Sequence, residues 1–148
     1  MPFVSVTRLH LRSFRFAVPF VVFSLRSINQ LRRSSGFLRG WAGNEFPLGF
    51  WTVTTWESAD AMRAFRNGRP HLDAMKKMLD WADEGSYAHW EQQDDDPPDA
   101  ETAFRRIAAE GRISKVLHPS KRQAAGATAG NRPPVIGQRV RAKPSRRK

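Results

Sequence analysis

No cysteine occurs among the 148 residues, so disulfides, zinc-thiolate sites and thiol catalysis are excluded, and a reducing cytoplasm is the expected compartment. From Pro119 onward there is no acidic residue either, while nine basic ones follow: Lys121, Arg122, Arg132, Arg139, Arg141, Lys143, Arg146, Arg147 and Lys148. Of the net charge of +11, only about +2 therefore belongs to residues 1–118, an ordinary value for a small soluble domain. The basicity sits in a tail, 119–148, that is poor in large apolar residues and is expected to be a disordered, solubilising extension. The one partner such a tail implies is nucleic acid, held nonspecifically and released by salt.

Long hydrophobic runs are absent too. The stretch Phe16 to Phe23 lies between Arg15 and Arg26 and contains Pro19. A membrane span needs roughly 20 apolar residues, so no span is expected. The stretch also starts too late for a signal peptide and reads as the start of a buried helix. No two histidines stand four apart, and no Asp or Glu completes a three-ligand set in the sequence, so no metal site is expected. Asp80, Asp83 and Glu84 read as a solvated helix end.

What is present is organised around Gly49-Phe-Trp-Thr-Val-Thr-Thr-Trp-Glu-Ser58. Its aromatic and β-branched residues suit a half-buried strand, and Ser58 with Asp60 supplies the cap and charge of a following helix. Upstream, Phe3 to Arg12 carries Val4, Val6, Leu9 and Leu11 as a first strand with apolar groups on both faces. Val21, Leu25, Ile28 and Leu31 recur at helical spacing, with Arg32 and Arg33 in the last turn and Gly36 as the stop, which predicts a helix over 18–34. Phe37 to Ala42 forms a second strand, joined by a hairpin to the organising one. After Ser58 a helix runs to Asn67, restarts at Pro70 and carries Leu72, Met75, Met78, Leu79 and Ala82 on one side. A fourth strand, 86–92, follows Gly85.

The order β-α-β-β-α-β predicts an α+β, ferredoxin-like domain at 1–93, with a four-stranded antiparallel sheet and both helices on one face. The other face would be bare and apolar, which implies a homodimer. Residues 94–98 are an acidic, proline-stiffened linker. Residues 99–118 hold a last helix, capped by Asp99, and its extension.

The strand order, the Thr54-Thr-Trp-Glu-Ser58 junction and the Ala61-Met-Arg-Ala-Phe-Arg66 helix leading to His71 together resemble the antibiotic-biosynthesis-monooxygenase-like proteins. More narrowly, they resemble a bacterial branch grouped with spheroidene monooxygenase-related sequences. The resemblance covers about residues 3–92. It implies a dimeric α+β barrel with a pocket between sheet and helices in each protomer. It also implies a monooxygenase, cofactor-independent or haem-assisted, that acts on, or a protein that binds, a hydrophobic aromatic or polyene molecule. Other members bind or degrade haem. Their helix histidine, distorting tryptophan and first-strand asparagine fall on Met75, Phe65 and Thr7 here, so haem degradation of that kind is not expected.

His71, at the start of the restarted helix, is the candidate base, its imidazole kept neutral by the helix N-terminus. Thr7 is the candidate polar anchor. Trp51, Phe65, Met75 and His89 are the candidate ligand contacts. A non-catalytic binding or scaffold role of the same barrel is the alternative. The segment Arg39-Gly-Trp-Ala-Gly-Asn-Glu-Phe46 echoes an RNA-recognition signature, but on the second strand where that signature belongs on the third.

Overall fold

Alternation along Gly49–Trp56 (β3) sets the two sides of the sheet: Phe50, Thr52, Thr54 and Trp56 on one, Trp51, Val53 and Thr55 on the other. The computed structural model describes residues 1–144. In it β3 lies at the centre beside β1 (Phe3–Leu11), flanked by β2 (Phe37–Glu45) and β4 (Ala82–Glu91). Helices α1 (Ala17–Arg33), α2 (Ala59–Asn67) and α3 (His71–Trp81) make the β1-α1-β2-β3-α2-α3-β4 unit. Beyond it come α4 (Ala100–Glu110), β5 (Arg112–Ile113), α5 (Lys121–Ala124) and β6 (Val135–Arg141).

The local signals act as their chemistry dictates. Ser58 Oγ accepts from the Ala61 amide at 3.1 Å, and Asp99 Oδ1 accepts from the Thr102 amide at 2.8 Å, capping α2 and α4. Gly36 turns the chain after α1 with φ of +81°, and a Cβ there would stand 2.6 Å from the Cβ of Ala61, so only glycine fits.

The expected α+β fold and antiparallel sheet are present, but the sheet has six strands in the order β5-β4-β1-β3-β2-β6, not four. Both extra strands come from beyond residue 110. The basic tail is accordingly not a disordered extension over 119–144. Gln123 is buried, taking the Gly85 amide on Oε1 at 2.7 Å and giving its amide to the Ser114 carbonyl at 2.9 Å. Ser86 donates to the Thr128 carbonyl at 2.5 Å, and β6 pairs along β2 from Asn44–Val135 to Arg39–Arg141. Residues 145–148 of the expected tail lie outside the described residues.

The second face of the sheet is not bare. Ala103 and Ile107 of α4 pack with Val4, Val6, Trp41, Trp51, Val53 and Ala88, and Ala129 of the extension joins them. The apolar surface that called for a second copy is covered by the chain itself. Helix α1 is corrected in the opposite sense. Phe20 and Leu31 are its buried residues, whereas Val18 and Val21 of the expected buried run, and Leu25 of the helical recurrence, face solvent.

At one end of the second face Arg8, only 2% exposed, is clamped between two carboxylates. Its Nε and Nη2 donate to the two oxygens of Glu45 at 3.1 and 2.7 Å, and its Nη1 donates to Glu84 at 2.8 Å. Trp51 Nε1 adds a donor to Glu45 at 3.3 Å, and Gly130 lies so close that a Cβ would sit 2.6 Å from the same carboxylate. Burial alone would raise the Glu45 pKa, but the bonds and charge of Arg8 outweigh it and hold the carboxyl below its usual range. Because the folded carboxyl then ionises at lower pH than in the unfolded chain, this stabilisation is complete above the ordinary carboxylate range. It is lost as pH falls through the folded value. Arg8→Ala leaves the buried Glu84 and the half-buried Glu45 without their cation and is expected to cost about 3 kcal/mol in urea unfolding at neutral pH. The difference from wild type should shrink on acidification.

Candidate functional site

The helix-covered face carries two apolar clusters, not one. Leu9, Leu11, Phe50, Phe16, Phe20 and Met78 gather at one end, and Phe3, Phe37, Trp56, Leu31, Met62 and Phe65 at the other. Between them the register aligns Tyr87, Thr7, Thr52, Ala42 and Gln138 as direct cross-strand partners on β4, β1, β3, β2 and β6. Thr52 is exposed although it lies on a central strand, and Thr7 and Tyr87 are half-buried. A polar strip open to solvent thus crosses the sheet between two greasy banks.

The next row holds Ser5, Thr54 and His89. Ser5 and Thr54 are buried, with Trp56 Nε1 donating to Thr54 Oγ1 at 2.9 Å, whereas His89 reaches solvent. Its ring lies 5.3 Å from that of Phe3 and 5.2 Å from that of Tyr87. Partial burial, then the positive charges of Arg66, Arg63 and Arg112, push the His89 pKa down, which favours the neutral imidazole. These cations also favour any anion formed beside the ring.

His71 opens α3 with its ring 4.6 Å from Phe65, which in turn stands 5.4 Å from Trp56. Its Nδ1 is 3.2 Å from the Arg66 carbonyl. A carbonyl can only accept, so Nδ1 carries the proton and Nε2 keeps a lone pair. Burial and the Arg66 charge lower this pKa despite that hydrogen bond. The backbone amide of His71 donates to Gln30 Oε1 at 2.8 Å, which ties the start of α3 to α1.

Of the other sequence candidates, Thr7 lies in the strip, and Phe65 belongs to one bank. Met75 is half-buried one turn before Met78 and belongs to neither cluster. Trp51 is not with them. It is 1% exposed on the opposite face against α4, so its role as a ligand contact is corrected to core. Trp41 of the RNA-like segment is likewise buried, with Nε1 donating to the Pro98 carbonyl at 2.8 Å, and offers no stacking surface.

Thr52, Tyr87 and Ser27 escaped sequence reasoning. Ser27 lies on the inward side of α1 between Phe20 and Leu31, and its Oγ is buried without a hydrogen-bond partner among the described residues. A lone buried hydroxyl costs about 1–3 kcal/mol unless a ligand or water answers it. The absence of a mixed histidine-carboxylate set is also corrected. Ligand atoms of His10, Asp83 and Glu84 lie within 4.8 Å of one another. Each already has one atom paired, however: Asp83 Oδ1 holds His10 Nδ1 at 2.6 Å, and Glu84 Oε1 holds Arg8 Nη1 at 2.8 Å. For haem, the family's positions offer Met75, Phe65 and Thr7, of which only the Met75 thioether could ligate iron. That donor set does not fit the haem-degrading type.

No family model matches the chain, and no curated protein matches its sequence. Solved structures do match. SnoaB, a cofactor-independent oxygenase from Streptomyces nogalater, is 16% identical with a TM-score of 0.51, over 63% of this chain and 94% of its own. A conserved protein from Methanosarcina mazei gives 9%, 0.57, 63% and 94% in the same order. A protein described as an antibiotic biosynthesis monooxygenase gives 7%, 0.56, 62% and 99%. The fold is that of the antibiotic-biosynthesis-monooxygenase-like proteins. Nearly the whole of each neighbour is matched by under two thirds of this chain, so about a third of it is an addition to that fold.

Both imidazoles should titrate, by their ring-proton NMR shifts, below the ordinary histidine value of about 6.5. Arg66→Ala, at an exposed position, should raise both pKa values, because one cation acts on both rings. A change at neither ring would separate them from that shared wall.

Proposed function

We propose that the strip between the two apolar clusters is a small-molecule site and that the chain is an oxygenase working on an aromatic substrate without metal or flavin. The observation that carries this reading is a neutral histidine, His89, set between Phe3 and Tyr87 at the edge of the open polar row. A fold shared with a cofactor-independent oxygenase supports it.

The apolar banks accept a flat ring system, and the hydroxyls of Thr7, Thr52 and Tyr87 orient its polar edge. His89 removes a proton from an activated methylene or phenol, and Arg63 and Arg66 stabilise the resulting anion. That electron-rich anion reacts with dioxygen directly. For a methylene, one dioxygen turns the carbon into a carbonyl and releases one water. Both carbon–hydrogen bonds break and a carbon–oxygen double bond forms, so the carbon loses four electrons, one oxygen atom enters the product and the other leaves with the two hydrogens. A polyene has no comparably acidic proton, so an aromatic substrate is the better match. His71, with Nδ1 bound to a carbonyl, positions the start of α3 and the Phe65 ring.

With an anthrone as probe, purified protein should consume one dioxygen per product in the presence of a chelator. His89→Gln should slow turnover by about 10²-fold or more, the usual contribution of a general base. In the wild type kcat/KM should rise with pH through a value below the usual histidine range and then level off. Binding of the probe, seen by tryptophan quenching, without oxygen uptake would instead establish the non-catalytic binding role.

The same reading needs no second subunit, since α4 already closes the second face. Sedimentation equilibrium at micromolar concentration is expected to return the single-chain mass of 16.9 kDa. A stable dimer would contradict this.

A further inference from the structure

The outward side of α1 carries apolar residues where a helix on a globular surface normally carries polar ones. Phe14 just before it, Val18 and Leu25 are 67%, 75% and 59% exposed, and Val21 and Val22 are exposed beside them. At 100° per residue the four within α1 form one stripe, opposite the buried Phe20 and Leu31, and Phe14 stands in the 3-10 turn that leads into it. Along the same outward side the last two turns change character and present Arg26, Asn29, Arg32 and Arg33, all exposed or half-exposed.

Those arginines are not isolated. Arg26 and Arg33 line a depression of about 440 Å³ with Arg69, Asn29, Gln30, Ser34 and Pro70. Arg32 lines a second, of about 290 Å³, with Arg139, Arg141, Gln138 and Val140. The chain after β6 returns to the same place: the Lys143 amide donates to the Arg32 carbonyl at 2.8 Å, and its Nζ donates to Asn29 at 3.3 Å. The charges of Arg33 and Arg32 lower the Lys143 pKa, as expected for cations crowded without compensation. Among the described residues no carboxylate lines either depression, although Arg69 Nε stands 3.6 Å from Asp73, and the sequence contains no Asp or Glu before Glu45.

We propose that α1 is a docking face for an anionic phospholipid surface. The helix lies in the plane of the interface, its Phe14–Leu25 stripe enters the boundary between headgroups and acyl chains, and the arginine cluster at its C-terminal end meets lipid phosphates. The stripe covers about three turns, which suits lying on a bilayer and not crossing one. Among the described residues no helix is long and apolar enough to cross. Charge complementarity selects this occupant. A second copy meeting the stripe would bring Arg15, Arg26, Arg32 and Arg33 against the same residues. Nucleic acid would answer the arginines but leave the stripe in water. An anionic bilayer answers both, whether or not the strip on the sheet is an oxygenase site.

The full chain should co-sediment with vesicles of phosphatidylglycerol and phosphatidylcholine, not with phosphatidylcholine alone, and less as salt is raised. Val18→Glu with Leu25→Glu, at positions already in solvent, should keep the thermal unfolding transition and weaken vesicle binding at least about tenfold. Arg33→Glu with Arg139→Glu should weaken it comparably and flatten its salt dependence. Failure to bind anionic vesicles overturns the proposal. So does binding that ignores the Val18 and Leu25 substitutions, which would leave only a phosphate-attracting patch. A dimer abolished by Leu25→Glu, with no vesicle binding, would assign the stripe to a second copy instead.

Discussion

Water must be kept from both sides of the central strands, and on the second side the chain's own C-terminal third contributes that cover. Val4, Val6, Val53, Trp41 and Trp51 present a continuous apolar surface there, each side chain worth about 1.5–3 kcal/mol when removed from water. Covering that surface with α4 dictates the path of the remaining chain. The segment after β4 must round the end of the sheet, and it is pinned as it does so: Thr55 donates to the Asp95 carbonyl, Arg39 pairs with Asp96, and Trp41 donates to the Pro98 carbonyl. The chain then runs from one edge of the sheet, where β5 pairs with β4, to the other, where β6 pairs with β2. Both edges of the four-stranded unit are thereby occupied.

The helix-covered face obeys the opposite logic. Three helices could have sealed it with one core, yet the row through Tyr87, Thr7 and Thr52 divides it. Hydroxyls on central strands cost packing that valines would have supplied, and Ser27 adds a buried hydroxyl without a partner on the helix above. Such local losses are tolerated where a site needs access and polarity. The second face, with the Arg8 clamp at its end, carries the continuous packing that the divided first face lacks.

The β1-to-β4 order, its caps and its strand centre were legible because they rest on local chemistry: β-branched runs, a serine before a helix, a glycine after one. The tail was illegible for the complementary reason. Its attachment relies on Gln123, Thr128 and Ser86 bonding to backbone groups, and on Ala129, none of which stands out in composition. Alternation also could not say which of two aromatic neighbours, Phe50 or Trp51, faced the helices, since both sides of β3 are apolar. His71 drew attention through its place at a helix start. The stronger case for His89 depends on Phe3 and Tyr87 flanking it and on arginines of α2 and β5 acting from a distance, which are relations between strands and helices that spacing does not encode.

Helix α1 shows how far periodicity reaches and where it stops. The apolar recurrence is real, but two stripes satisfy it, and the residues that anchor the helix are Phe20 and Leu31, about three turns apart. Between them the inward side sets Ser24 and Ser27 beside the half-buried Phe23 and Ile28, while Val18, Val21, Val22 and Leu25 point outward. Hydroxyls inward and branched apolar chains outward partly invert what burial alone would select. The inward half of that inversion is explained by the divided face beneath, which a continuous apolar helix would close. The outward half leaves an apolar ridge that, among the described residues, no other element covers and that therefore contributes nothing to folding, as a surface kept for an outside contact would. The arginines that continue the ridge set the sign of the surface it would meet.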